Sequence, residues 1–425
     1  MTDQISESTE RKLSTELQGR LARGRMNILF LARAVNGAGN FGDSVHVREL
    51  ISAWARLGHS VDLVCLSKKP LPSNSDNQRL YTARRTVPIR DSGLLRFYSL
   101  RQLLAAVRIL RLISSREFDV IYARPSVGLT GTFDVLIEVL ASRLAGVPLV
   151  LEVNGWAEDD ASILRDSRFF QLRSMMNALV RFLFSLASGF VAVSTSLANR
   201  LHMEMGVDPN GIKVIPNGAN PDLFRPSDRT TARFQIGLPP NSPVLAFVGH
   251  VGLEADLSPV IQALPALAGK YPDLTLLIVG DGPDRAAYLS AAKTIDMDSR
   301  ILFTGTIPHE QVPVYIGACD IGLVAIKQHM TSLPMKLFEY WCCQRPVVAT
   351  KLPDHQLVEE VGGGLLAASQ LPSAWAASIC TLLDSSLTSE EMANRGRDYV
   401  LRERTWARTA EMIATYLTTI LEGNL

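Results

Sequence analysis

Asn27-Ile-Leu-Phe-Leu-Ala32 is an unbroken apolar run, and Val61-Asp-Leu-Val-Cys-Leu66 is a second one. Between them stand a glycine-rich loop, Asn36-Gly-Ala-Gly-Asn-Phe-Gly-Asp43, and the segment Ser44 to Leu57, with Val45, Leu50, Ile51 and Trp54 as its apolar positions. Apolar runs of this length without alternation read as strands covered on both faces. The intervening segment reads as a helix that Gly58-His59 terminates. Strand, helix, strand is a βαβ unit, so the sheet is parallel and the fold doubly wound α/β.

The same alternation extends outward. Strands are expected at Val120-Ile-Tyr122, Leu149-Val-Leu-Glu152 and Gly189-Phe-Val-Ala-Val193, and Val214-Ile-Pro216 closes the first half at the turn Asn217-Gly218. Residues 225–241 are polar and proline-rich and read as a linker. A second α/β half begins at Val244-Leu-Ala-Phe-Val248, which ends in Gly249. A helix through Pro259 to Leu267 follows, then strands at Leu276-Leu-Ile-Val279, Arg300-Ile-Leu-Phe303 and Ile321-Gly-Leu-Val324. The tail from Ser389 to Leu425 reads as helical, with Trp406 near the start of its last piece. Two open parallel sheets in one chain are expected to face a cleft, with ligands at the carboxyl ends of the strands.

The chain has 425 residues, 47% hydrophobic and 20% charged, which is ample for two domains. A net charge of +1 implies no general attraction to nucleic acid. The five cysteines (Cys65, Cys319, Cys342, Cys343 and Cys380) show no paired metal spacing, and their odd number does not suggest a disulfide framework. The seven histidines form no H-x-x-x-H pair, and Asp296-Met-Asp298 falls in a polar turn, so no metal site is expected. Neither G-x-S-x-G nor a Walker lysine is present, which removes the hydrolase and P-loop readings. Met1 to Arg25 reads as a polar tail, and no stretch has the length and apolarity of a membrane span or signal peptide. The expected compartment is the cytosol.

Two stretches are basic: Arg84 to Arg116, expected to be helical from Leu94 onward, and Arg165 to Arg181 among Phe169, Phe170, Met175 and Met176. They read either as helices with solvated outer faces or as a peripheral contact with an anionic membrane, at its inner face.

The richest chemistry lies in Ser332-Leu-Pro-Met-Lys-Leu-Phe-Glu-Tyr-Trp-Cys-Cys-Gln-Arg-Pro-Val-Val-Ala-Thr350. Ser332 is expected to cap a helix, with Pro334 in its first turn, and Pro346 stops it before the strand Val347-Val-Ala349. A helix N-terminus offers free N–H groups to a phosphate, and Lys336 adds a full charge there. Glu339, one turn on, can accept two hydrogen bonds from a ribose diol. In the first half, Gly37-Ala-Gly39-Asn-Phe-Gly42 has G-x-G-x-x-G spacing, but its first glycine lies several residues beyond the strand, and no acid ends the second strand. A loop over an anion or sugar is the better reading, with Gly39, Asn40, Phe41, Gly42 and Asp43 as candidates. His46, just after it, reads as a satisfied surface histidine.

Taken in order, these pieces resemble the GT-B glycosyltransferases of the large retaining family 4. The marks are Asp43-Ser-Val-His46 with Glu49-Leu50, Gly58-His-Ser-Val61, Leu151-Glu-Val-Asn-Gly155, Val214-Ile-Pro-Asn-Gly218 and Phe224-Arg-Pro226. In the second half they are Phe247-Val-Gly249, Val279-Gly-Asp-Gly-Pro283, Phe303-Thr-Gly305 and the Lys336-Leu-Phe-Glu-Tyr340 helix. The resemblance implies two Rossmann-like domains: a polar tail at 1–25, an acceptor-side domain at 26–224, a linker at 225–241, a nucleotide-sugar domain at 242–395, and a terminal helix at 396–425 crossing back. It implies a UDP- or GDP-sugar as donor substrate, no cofactor and no metal. It further implies that Glu339 holds the ribose, that amides from Met335 to Leu337 hold the diphosphate, and that backbone near Ile307 meets the base. The acceptor, a lipid-linked glycan or a small metabolite, would lie by the Gly39 to Asp43 loop and His46, and transfer would retain anomeric configuration.

The chain departs from the family pattern. An Arg after Phe-Val-Gly and a Lys five residues later are replaced by His250 and Ala255, and the first acid of the paired-glutamate motif by Thr331. The usual first-domain histidine is replaced by Asn154, with Glu158 nearby. Gly249 and His250 remain on the donor side, and Asn154, Glu158 and Lys336 become the candidates at the reacting centre. Lys336, Lys327 or His250 would compensate for the lost cations. The rival reading is a catalytically silent GT-B protein that partners or regulates an active transferase.

Overall fold

The computed structural model describes residues 18–19, 24–36, 42–66, 83–89, 106–107, 109–113, 117–125, 132–156, 178–252, 254–328, 330 and 333–423. The chain divides into two compact units, one of Met1–Gly39, Asp43–Ile215 and Thr409–Leu425, the other of Asn40–Gly42 and Pro216–Arg408. The division falls after Ile215 rather than at the expected 224. The expected linker carries a helix, Arg229–Gln235. Its Arg233 is buried and donates to Ala318 O and Asp320 Oδ2 at 2.9 and 2.6 Å, which ties the segment to the second unit.

The first unit holds a seven-stranded sheet of β1 (Asn27–Asn36), β2 (Ser60–Leu66), β3 (Ala83–Ile89), β4 (Val120–Ala123), β5 (Leu149–Val153), β6 (Gly189–Ala192) and β7 (Ile212–Val214). The order is β3-β2-β1-β4-β5-β6-β7 and every pairing is parallel. Ala83-Arg-Arg-Thr-Val-Pro-Ile89, at the start of the first basic stretch, is the edge strand β3, where Pro88 is tolerated, and residues 109–113, within the part read as helical from Leu94 onward, are helical. Most of the remaining basic stretch, including 90–105 and 157–177, lies outside the described residues.

Helix Gly42–Arg56 covers β1 through Trp54, whose ring meets Phe30 and Tyr122 edge-on at 5.9 and 5.2 Å. The last helix, Trp406–Gly423, seals this layer: Trp54 Nε1 donates to Ala410 O (3.2 Å). Tyr416 Oη donates to Gly211 O (2.8 Å) and accepts from the Phe190 amide (3.3 Å). Buried His59 accepts the Met26 amide at Nδ1 (3.1 Å), and burial lowers its pKa to about 4.

The second unit holds β8 (Val244–Val248), β9 (Thr275–Val279), β10 (Ile301–Gly305), β11 (Ile321–Val324), β12 (Val347–Thr350) and β13 (Gly364–Ala367), all parallel in the order β10-β9-β8-β11-β12-β13. Its strands carry apolar side chains to both faces. One layer gathers around Leu277, Phe338 and Trp341, the other around Phe247, Leu264 and Trp375.

Both sheets reverse strand order once, at β1/β4 and at β8/β11. In open α/β sheets these switch points are where a crevice opens at the carboxyl ends of the strands. Among the described residues no helix is long and apolar enough to cross a membrane.

Candidate functional site

The helix after β11 runs over Met335–Cys342. Its cap is Pro334, in extended conformation and without a side-chain bond. This corrects the expectation that Ser332 caps the helix with Pro334 inside it; Ser332 lies outside the described residues. The helix is pinned by its aromatic residues. Tyr340 Oη accepts the Val248 amide (2.8 Å) and donates to Ala246 O (2.9 Å), while Trp341 Nε1 donates to Gly363 O (2.8 Å). Phe338, Tyr340 and Trp341 are all fully buried, and Lys336, one turn before Tyr340 on the same face, is thereby held over β8 at the β8/β11 switch point.

Lys336 Nζ sits 4.0 Å from the centroid of the Phe247 ring, a cation–π contact. Gly249 makes that approach possible: a Cβ there would lie 2.8 Å from Nζ, and φ is +135°. Gly280 is equally constrained, since its Cβ would meet Gly249 O at 1.9 Å. Burial lowers the Lys336 pKa to about 8, against the pull of Glu254 and Glu339. Among the described residues no carboxylate lies within ion-pair distance of Nζ.

Leu337 is engaged, its side chain in the core and its amide donating to Pro334 O (3.1 Å). The Met335 and Lys336 amides, at the first positions of the helix, have no carbonyl within it to bond. Of the expected amides from Met335 to Leu337, those of Met335 and Lys336 remain as donors beside the Lys336 ammonium.

Glu339 lies one turn on, 8% exposed. His309 Nε2 is 3.3 Å from Glu339 Oε1. His309 comes from the turn His309–Gln311, just after β10 and Ile307, and was not singled out in the sequence; a partner thirty positions away leaves no local signature. Ile307 is partly buried against the same core. His250 is exposed, and its ring crowds Gly252. Ala255 is buried, with its backbone bridged to Ile326, so no cation stands at that place.

In the first unit the β1/β4 switch point carries a different group. His46 is 2% exposed and its Nε2 lies 2.9 Å from Glu152 Oε1, which corrects the surface reading. Burial alone would raise the Glu152 carboxyl, but the His46 and Arg124 charges, with contacts from His46 and the Asn154 amide, outweigh it and hold the group below the usual carboxylate range. Tyr122 stands beside them, its phenol pushed well up by burial and then by Glu152. Arg124 pairs with Asp43 at the start of the helix Gly42–Arg56. Within this unit His46, Asn154 and Arg124 thus act on Glu152, and Asp43 is tied to the group through Arg124. Gly39, Asn40, Phe41 and Glu158 lie outside the described residues. Among the described residues no three His, Cys, Asp or Glu side chains group so as to hold a metal ion.

Comparison with known proteins follows this division. The family model "Glycosyltransferase Family 4" matches residues 42–223, and "Glycosyl transferases group 1" matches residues 242–385. A D-inositol 3-phosphate glycosyltransferase of Segniliparus rotundus is 28% identical over 234 residues, covering 54% of this chain and 51% of the relative. The chain thus spans about half the length of that relative. The structure of a sucrose-phosphate synthase from Thermosynechococcus elongatus superposes with a TM-score of 0.74 at 18% identity, covering 94% of this chain and 100% of that one. Anabaena HepE in complex with UDP and glucose superposes with a TM-score of 0.69 at 19% identity, covering 93% of this chain and 100% of that one. Both likenesses concern the fold.

Proposed function

This chain belongs to the GT-B glycosyltransferases, and we propose that it moves a sugar from a UDP- or GDP-linked donor to an acceptor hydroxyl with retention of anomeric configuration. The observation that carries this reading is Lys336: a desolvated ammonium over Phe247, with no carboxylate in ion-pair range among the described residues, beside two helix-N-terminal amides. Such a place favours a dianionic diphosphate, and Glu339 one turn on suits the ribose diol. UDP in the complex with the similar HepE fold supports the donor class.

In transfer, the acceptor oxygen would bond to the anomeric carbon as the bond to the leaving phosphate oxygen breaks. The departing phosphate would take the acceptor proton. Lys336 and the Met335 and Lys336 amides would stabilise the charge that develops on the diphosphate. On the acceptor side, Asp43, His46 and Asn154 would border the place that receives a hydroxylated small molecule or a lipid-linked glycan.

The buried, bridged Ala255 and exposed His250 favour a second reading, a catalytically silent GT-B protein that partners or regulates an active transferase. Calorimetry with UDP and GDP, followed by donor hydrolysis and transfer assays over a panel of UDP- and GDP-sugars, separates the two. Binding with turnover is expected. Binding without turnover over the panel selects the silent reading, and binding of neither nucleotide sinks the enzyme reading.

A further inference from the structure

His309 is clamped on two sides. The ring of Phe224, itself 1% exposed, meets the imidazole edge-on at a centroid distance of 5.3 Å, and on the other side Nε2 lies 3.3 Å from Glu339 Oε1. The histidine and glutamate side chains are 11% and 10% exposed, so bulk water contributes little to holding either. Pro308 precedes the imidazole, and the Val312 amide closes the turn on His309 O. The backbone carrying the ring is therefore as restrained as the ring.

A carboxylate that recognises a diol must hold two acceptor lone pairs in a fixed direction. A glutamate side chain has three rotors, and their ordering costs free energy at the moment of binding unless it has been met beforehand. An N–H donated to one oxygen removes that freedom and leaves the second oxygen and the remaining lone pair for the ligand. Glu339 has such a donor in place. The donor also sits two residues beyond Ile307, so the same short segment spans from the base-side backbone to the ribose-side carboxylate.

We infer that His309 is a positioning residue for the donor ribose: it donates from Nε2 to Glu339 Oε1 and sets the carboxylate to receive the 2′ and 3′ hydroxyls. The inference rests on the reading of this unit as a nucleotide-sugar site. It goes beyond that reading by assigning ribose discrimination to the His309–Glu339 pair rather than to Glu339 alone.

The test is calorimetry of UDP against 2′-deoxy-UDP, and GDP against 2′-deoxy-GDP, on the full chain as wild type, His309→Ala, His309→Gln and Glu339→Gln. The wild type is expected to prefer the ribonucleotide by about tenfold, the scale of one hydrogen bond to a charged group. His309→Ala should bring that preference to within about twofold, as Glu339→Gln does, while the deoxynucleotide loses little affinity. His309→Gln keeps an N–H near the Nε2 position and should retain most of the preference. If His309→Ala weakens both nucleotides equally, or leaves both unchanged, the residue is structural and the inference falls. If His309→Ala does not fold, the Gln variant decides, since loss of the preference there with the N–H still available contradicts the assignment. A wild type that binds neither nucleotide overturns the donor reading itself, and is seen before any variant is compared.

Discussion

In the first unit Glu152 is buried with the His46 imidazole at 2.9 Å and Arg124 and Asn154 beside it, whereas in the second unit the Lys336 ammonium faces the Phe247 ring with no carboxylate in ion-pair range among the described residues. Both groups stand at a strand-order switch point. One group of charges has its partners within ion-pair reach, while the other feels only the longer-range pull of Glu254 and Glu339. A balanced buried network chiefly orients its members, because removing any member strands the rest. A largely desolvated cation without a close counter-ion costs the fold free energy, and an anion bound beside it offsets that cost. The contrast is the reason we propose Lys336, rather than the Glu152 group, as the contact for the donor phosphates.

The comparison can be broken first at the balanced end. His46→Leu leaves Glu152 buried without its nearest partner and is expected to cost about 2–5 kcal/mol of unfolding free energy. The double change His46→Leu with Glu152→Leu should regain a good part of that loss. Urea unfolding of the three proteins checks this, and a loss under 1 kcal/mol for the single change would mean that the pair contributes little.

Acid sharpens the contrast next. His59 accepts the Met26 amide at Nδ1, so protonation of that nitrogen must break the bond. Its folded pKa, about 4, lies below the unfolded value of 6.5. The stability it contributes is therefore complete above pH 6.5 and is lost as pH falls toward 4, by about 3 kcal/mol. Unfolding measured from pH 7 to 4 should show this slope in the wild type and a shallower one in His59→Gln.

Lys336 responds in the opposite range. Its folded pKa, about 8, lies below the ordinary 10.5, so the group penalises the fold while charged and the penalty lifts as pH rises from 8 to 10.5. Lys336→Met removes the penalty while keeping an unbranched apolar stem, and the ligand-free protein should gain about 1–3 kcal/mol at pH 7. A loss of stability in thermal unfolding would show that the Phe247 contact outweighs the desolvation cost.

Much of the architecture was readable because covered parallel strands are continuous apolar runs. Phe30 and Phe247 each lie inside one, and the glycines at 249 and 280 mark strand ends where backbone approaches closely. The strands that escaped are edges. Ala83–Ile89 carries two arginines and a proline, and Gly364–Ala367 is four residues long beside a run of glycines. An edge strand is covered on fewer sides and need not look like a core strand.

The site was legible to the extent that it is local. Lys336 and Glu339 fall within one helical turn of each other, and their spacing alone suggests phosphate and diol. His46 and Glu152 are separated by more than a hundred positions, and nothing near either announces the other. His309 lies beyond reach for the same reason. It becomes a candidate only when the fold brings the turn after β10 against the helix Met335–Cys342. Linear spacing shows pairs within an element, and the sheet order decides the pairs between elements.

The central claim is that the second unit holds a nucleoside diphosphate on Lys336, and titration calorimetry of UDP and GDP into the wild type and Lys336→Met tests it most directly. At pH 7 the wild type should bind at least one of them, with affinity falling above pH 8 as the free ammonium loses its proton. Lys336→Met should bind about 100-fold more weakly, the scale of a lost charge-assisted contact in a desolvated site, and should lack that pH slope. Equal affinity in the two proteins, with the same pH dependence, would contradict the account.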